Sequence, residues 1–326
     1  MKYRITHSTL YDYSQSVGLC QNEARLQPRN FWRQQAHSSE FEITPDPTDF
    51  NELTDFFGNR VAYFAVQKPH TKLLVTVVSE VSLYPKQNSL DLFNTITWEQ
   101  VLQILQASSA MNSQSEFFGQ QNQSQNLNQS QLQIQLQNQN AEYAFELLEA
   151  RQYVLDSPMI SVNSELADYA RLSFQSNRPL VEVVYDLMAR IYKDFTYDPA
   201  FTTIATPLID VLRFRRGVCQ DFAHLAIACL RSYGIAARYV SGYVETLPEP
   251  GKARLVGADA SHAWFSVYIP GSGWMDFDPT NNKVPHDQHI TLAWGRDFSD
   301  VTPLKGIAFG GGQHTLSVSV DVLRLT

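Results

Sequence analysis

Cysteine is scarce in this chain: 326 residues hold only three, Cys20, Cys219 and Cys229. They are too few and too scattered for a disulfide framework or a zinc ribbon. Long apolar runs are missing as well, none approaching the ~18 residues of a membrane span. The opening MKYRITHSTLYDYS has no apolar core of the signal-peptide kind. A cytoplasmic protein that starts at Met1 and has no membrane partner is expected. Basic residues fall short of acidic ones, 25 Lys and Arg against 33 Asp and Glu, for a formal charge of −8. A phosphate backbone is repelled on average, so nucleic acid is not an expected partner. No D-x-D-x-D-G loop occurs, which argues against a calcium site of that kind.

What is present divides the chain into three. From Tyr3 to Leu83, the runs YRITHSTLYDYS, FEITP, NRVAYFAVQ and KLLVTVVSEVSL are rich in β-branched and aromatic residues and broken by Pro, Asp and Gly. They read as a β-rich N-terminal domain over residues 1–95. A helical linker follows over 96–160, opened by Thr97 with Gln100 three positions on, the capping-box pattern. Between Gln120 and Asn140 all but four residues are Gln, Asn or Ser. Such a tract buries too little apolar surface to offset the entropy of ordering it, so a disordered insertion is expected at about 119–140. Helical patterns at Ala141–Leu155, Ser164–Phe174 and Leu180–Phe195 lead into residues 161–326, the part that carries the chemistry and ends in strands. Helices followed by strands, without a repeating βαβ order, indicate an α+β fold.

The stretch RRGVCQDFAHLAIACLRSYGI puts a glycine just before Val218 and Cys219, then an amphipathic run through Phe222, Leu225, Ala226, Cys229 and Tyr233, with Gly234 as its C-terminal stop. Cys219 thus opens a helix. Unpaired N–H groups and the positive end of the helix dipole favour a thiolate there, and a thiolate is the nucleophile that attack on an amide or ester carbonyl requires. Cys20 and Cys229 lack that setting and read as small buried hydrophobes.

Downstream, GADASHAWFSVYIPGSGWMDFDPTNN reads as two strands joined by the turn PGSG. Side chains alternate with period two, so His262, Trp264, Ser266 and Tyr268 share a face, as do Trp274, Asp276 and Asp278. A four-residue loop would set His262 and Asp278 on opposite faces. Bringing them together needs an odd-length connection or a bulge that places Asp278 near Trp264 or His262. The imidazole can then take the thiol proton and return it to a leaving amine, while the carboxylate holds its tautomer. A metal site is the rival chemistry, through His262, Asp276, Asp278, His286 and His289. Their spacing matches no zinc motif, so neither metal nor cofactor is expected.

GVCQDFAHL (Gly217 to Leu225), ARYVSGYV (Ala237 to Val244), GADASHAWFSVY (Gly257 to Tyr268) and DFDPTNN (Asp276 to Asn282) resemble the core motifs of the bacterial transglutaminase-like family. TLAWGRDFSDVTPLKG and GGGQHTLSVSVDV continue the likeness, and YRITHSTLYDYS, ARLQPR and DFFGNRVAYF are similar to the β-rich domain that precedes the core in that family. The tract beginning at Gln120 departs from the pattern. The resemblance implies a papain-like arrangement, a cysteine helix packed on an antiparallel sheet, with nucleophile, base and orienter at Cys219, His262 and Asp278. The Cys219 backbone N–H is a natural oxyanion donor, and Gln220 or Tyr197 is expected to supply a second. Trp264, Trp274 and Trp294 are expected to wall the cleft; His224 and His314 read as structural. Three functions share such a triad: hydrolysis of a peptide or isopeptide bond, which is favoured, acyl transfer to an amine, and a non-catalytic binding module. A peptide or protein is the expected substrate, and nothing in the sequence indicates an oligomeric state.

Overall fold

The computed structural model describes residues 1–84, 96–107, 143–204, 206–246 and 261–325. The Gln/Asn-rich insertion lies outside the described residues.

The first strand, Lys2–Ala24, is 23 residues long and organises the N-terminal sheet. On one side it pairs with His70–Leu83 over its first half and with Arg60–Val66 over its second. Register shifts between Asp12 and Val17, and between Val17 and Leu19, mark where the sheet curls. Gln34–Thr44 and Asp49–Thr54 extend it outward. In His70–Leu83 the valines and leucines alternate between buried and exposed, the period-two pattern of a strand with one face in a core.

The last two strands were expected within the segment 161–326. Instead, Leu304–Gly310 and His314–Arg324 lie antiparallel along the first strand, with Ala24 facing Leu304 and Tyr3 facing Arg324. The N-terminal sheet is therefore built from both ends of the sequence. Alternation in HTLSVSVDV announces a strand but carries no information about which strand it pairs with.

The core segment is a layer of helices over a four-stranded antiparallel sheet. The sheet order is Gly273–Phe277, Ser261–Ile269, Ala237–Val244, His289–Gly295. Between sheet and helices lies Cys219–Arg231, buried at every position from Asp221 to Arg231. A helix apolar on nearly all sides must be covered on nearly all sides. Ser164–Ala170, Leu180–Asp194 and Leu208–Phe214 cover it from one side and the sheet from the other. Leu180–Asp194 buries Leu180, Val183, Val184, Leu187 and Ile191. The outer helix Trp98–Gln106 starts at the capping box: Gln100 N–H donates to Thr97 Oγ1 and Thr97 N–H to Gln100 Oε1.

One apolar core joins the two parts, running from Tyr3, Ile5, Val81 and Val322 of the N-terminal sheet into the cysteine helix. A second core, around Cys20, Phe64, Leu73 and Val75, belongs to the N-terminal sheet alone. Polar ties reinforce the junction. Arg33 donates to Asp276 and to the Pro285 carbonyl, and the Gln34 side chain exchanges two hydrogen bonds with the backbone of Thr291.

Candidate active site

Cys219 is the first residue of its helix, and Val218 before it is extended. The first intrahelical bond of this turn runs from Phe222 N–H to the Val218 carbonyl, so the N–H groups of Cys219 and Gln220 precede the ladder and point out of the helix end. Asp221 closes the turn from below. Its Oδ2 accepts Val218 N–H at 2.8 Å and the Thr202 hydroxyl at 2.7 Å, while burial raises its pKa above the ordinary value. This approach needs Gly217, where an added Cβ would sit 2.8 Å from Asp221 Oδ2. The helix stops at Gly234, whose φ of +73° is the left-handed conformation that ends helices readily.

His262 stands near the start of Ser261–Ile269 and Asp278 just beyond the end of Gly273–Phe277. Gly273 pairs with Ile269, which leaves Pro270, Gly271 and Ser272 as the connection, an odd number. Asp276 then faces Ser266, and Asp278 arrives on the face of Trp264 and His262. His262 Nε2 lies 2.8 Å from Asp278 Oδ2, and the Cys219 side chain is close enough to favour the protonated ring. With Nε2 turned to the carboxylate, Nδ1 is left for the sulfur. Burial alone would lower the pKa of this ring. Hydrogen bonds and negative charge from Asp278 and Cys219 outweigh it and raise the pKa to about 10. Burial likewise pushes Asp278 up, but hydrogen bonds from His262 and His289 hold the carboxyl well below its usual range. The histidine side chain keeps 12% exposure beside a fully buried carboxylate. It opens on a polar cleft of about 390 Å³ whose lining includes Tyr197, Glu245, Thr246, Asn281, Lys283 and His289.

The profile of the bacterial transglutaminase-like N-terminal region matches residues 3–82, and that of the transglutaminase-like superfamily matches residues 168–279. Uncharacterized proteins of Mycobacterium tuberculosis and Mycobacterium bovis are 38% identical to the chain, covering 99% of it and 92% of their own length. The chain belongs to the bacterial transglutaminase-like family. Within it, an uncharacterized protein of Mycobacterium leprae is 32% identical over 99% of both chains. A protein-glutamine gamma-glutamyltransferase of Pseudomonas aeruginosa is 33% identical over 38% of this chain and 20% of its own. Among solved structures, a proposed cysteine protease from Cytophaga hutchinsonii shares the fold, with a TM-score of 0.67 and 19% identity over 100% of this chain and 91% of that one. The transglutaminase-like core thus has the α+β, papain-like build that the motifs imply.

Around this family core the remaining candidates separate. Gln220 is half-buried at the second helical position. Tyr197 is 55% exposed on the cleft wall, on a two-residue strand alongside Arg216–Gly217, with its ring edge-on to Phe222. Burial, with negative charge at Cys219 and Asp221, raises its pKa. The tryptophans do not wall the cleft as expected. Trp264 is fully buried and packs under the rings of His262 and His289. Trp294 is sandwiched between Arg29, 3.2 Å from the ring centroid, and Arg238, 3.7 Å away. Arg238 also covers Trp274 at 4.2 Å. Cation–π stacking takes these faces, and both rings, half-buried, lie outside the lining of the cleft beside His262. His224 accepts Phe298 N–H inside the core, and His314 lies against Tyr11 and Tyr13 in the N-terminal sheet.

Two neighbours of the site went unnoticed as partners of Asp278. Asn281 donates its amide to Oδ2 at 2.7 Å and also approaches His262 Nε2 at 3.3 Å. His289 Nε2 lies 3.0 Å from the same Oδ2. Of the five residues weighed as metal ligands, His262, Asp278 and His289 come together, offering one ligand atom each within 4.8 Å. Asp276 is tied to Arg33 and Ser266 instead, and His286 lies beside Asp287 on the surface. The three clustered atoms could hold a metal ion, yet each already has a hydrogen-bond partner within the cluster. No helix among the described residues is long and apolar enough to cross a membrane.

Proposed function

We propose that this protein is a thiol-dependent acyl-transfer enzyme that cleaves peptide or isopeptide amides, with Cys219 as nucleophile, His262 as base and Asp278 as orienter. One observation carries the reading: a single imidazole at the edge of a cleft hydrogen-bonds a buried carboxylate, and a helix-start thiol lies close enough to favour its protonated form. In the first step the Cys219 sulfur attacks the amide carbon, and the carbonyl π electrons move onto oxygen. The oxyanion accepts the Cys219 N–H at the helix end, with Gln220 or Tyr197 as the second donor. The His262 imidazolium gives its proton to the leaving amine, the C–N bond breaks, and a thioester remains. Water then attacks the thioester with His262 as base, releasing the acid and restoring the thiol.

An amine in place of water would make the same site a transglutaminase, the reading favoured by the similarity to the Pseudomonas aeruginosa gamma-glutamyltransferase. Hydrolysis is preferred because the cleft is polar and open to solvent. Three free cysteines fit a reducing cytoplasm. The test uses Cys219→Ala: turnover of amide substrates and labelling at this position by a thiol-directed electrophile should both disappear, and surviving turnover would refute the enzyme reading. Partition of the trapped acyl-enzyme between water and added lysine analogues then decides between protease and transferase. Activity should persist in EDTA without added calcium; loss in EDTA that zinc or calcium restores would return the metal chemistry to His262, Asp278 and His289.

A further inference from the structure

We propose that His289 is a positioning residue of this site, its Nε2–H holding the Asp278 carboxylate in the orientation that His262 requires. The inference rests on the triad reading above and extends it by one residue.

His289 opens the strand at the far edge of the four-stranded sheet, whereas Asp278 follows the strand at the opposite edge. Their side chains nevertheless meet. His262 faces Gly242 on the strand between them, and His289 faces Val244 on that same strand. A side chain at position 242 would run into the Trp264 ring and the Ile290 carbonyl. Glycine there lets Trp264 pack edge-on against His289, ring centroids 5.2 Å apart, and so fixes the plane of the second imidazole.

The carboxylate is held from every side. Oδ1 accepts the backbone N–H groups of Thr280 at 3.0 Å and Asn281 at 3.1 Å. Oδ2 accepts His289 and the Asn281 amide in addition to His262. The terminal torsion of a carboxylate is broad; with Oδ1 anchored by backbone N–H groups, the second imidazole helps the Asn281 amide to fix where Oδ2 stands for His262. His289 is 4% exposed, and burial lowers its pKa despite the pull of Asp278. A neutral donor adds a hydrogen bond without adding a cation beside the imidazolium that forms on His262. The two histidines therefore share one oxygen and divide the work: one changes charge and the other stays put.

The experiment is iodoacetamide alkylation of Cys219, mapped by mass spectrometry, on the whole chain at about pH 6, where an unassisted thiol is almost entirely protonated. Gln places an amide nitrogen near the position of imidazole Nε2, whereas Asn is too short to reach and Leu has no donor. His289→Gln is expected to alkylate within about twofold of the parent, and His289→Asn and His289→Leu about 10- to 100-fold more slowly, the usual cost of losing such an outer hydrogen bond. Thermal midpoints measured alongside show that the compared variants are folded, and the Gln/Asn pair suffices if the leucine variant does not fold. Equal rates in the glutamine and asparagine variants would overturn the role of His289 while leaving the triad intact. A rate in His262→Ala equal to that of the parent would overturn the triad, and this inference with it.

Discussion

Among the described residues, Cys219 and Cys20 each have a histidine beside them, and the two settings differ in everything but the pairing. Cys219 lies at a helix start beside His262, whose far nitrogen faces the Asp278 carboxylate at 2.8 Å. Cys20 lies in mid-strand, its sulfur 3.9 Å from His70 Nε2. His70 Nδ1 meets the Lys68 carbonyl at 2.8 Å, and the Asn22 amide donates to the Cys20 sulfur at 3.3 Å. A carbonyl fixes a tautomer but bears no charge to stabilise an imidazolium, and this sulfur belongs to a strand rather than to the first turn of a helix. Cys20 is 1% exposed and His70 7%, within the second apolar core. Nearness of thiol and imidazole is therefore not enough. A charge behind the ring, a dipole at the sulfur and a route from solvent separate a candidate nucleophile from a packing residue.

The largest expected effect comes from removing the sulfurs in turn. Cys219→Ala should lower amide turnover by about 10³-fold or more, the scale of losing a nucleophile, whereas Cys20→Ala should leave turnover within about twofold; comparable losses in both would erase the distinction. Next, Asp278→Asn keeps the shape but removes the charge, making the site resemble the neutral arrangement behind His70. Turnover should fall about 10²- to 10⁴-fold, the range for positioned acid–base groups, and steady-state kinetics on a fluorogenic amide would measure it. The pH profile gives a smaller effect. With the His262 pKa raised to about 10, the imidazolium is present below that value and lost above it. Turnover should therefore hold to about pH 10 and then fall roughly tenfold per unit; a fall beginning near pH 7 would mean that Asp278 and Cys219 do not support the ring. The smallest effect concerns stability. Cys20→Ala opens a small cavity in a sealed core and should cost about 1–2 kcal/mol in urea unfolding, while half-buried Cys219→Ala should cost less.

The comparison also explains what could be read ahead of the structure. The place of Cys219 at a helix start was legible because a glycine entry, an amphipathic run and a glycine stop define a helix and its first turn locally. The facing of His262 and Asp278 followed from period-two alternation once the connection had an odd length, a condition the sequence could state but not decide. His289 was not legible as a neighbour of Asp278. Its contact depends on the order of four strands and on Gly242 leaving room for Trp264, and neither is a local property. The setting of the tryptophans is hidden from the sequence for a related reason. An indole on a strand can face solvent or lie beneath an arginine, and Arg29, which takes one face of Trp294, is more than two hundred residues away in the chain. The final strands showed their alternation plainly, but their partner at the opposite end of the sequence could not be inferred from it.

That last pairing bears on how the protein is made. Until residues 304–324 leave the ribosome, one edge of the opening strand has no neighbour, and exposed strand edges recruit other chains. Contacts spanning nearly the whole length also slow folding. Tyr3 and Arg324 both hold Glu245 on the cleft wall, so the cleft is completed only when two strands some three hundred residues apart have met.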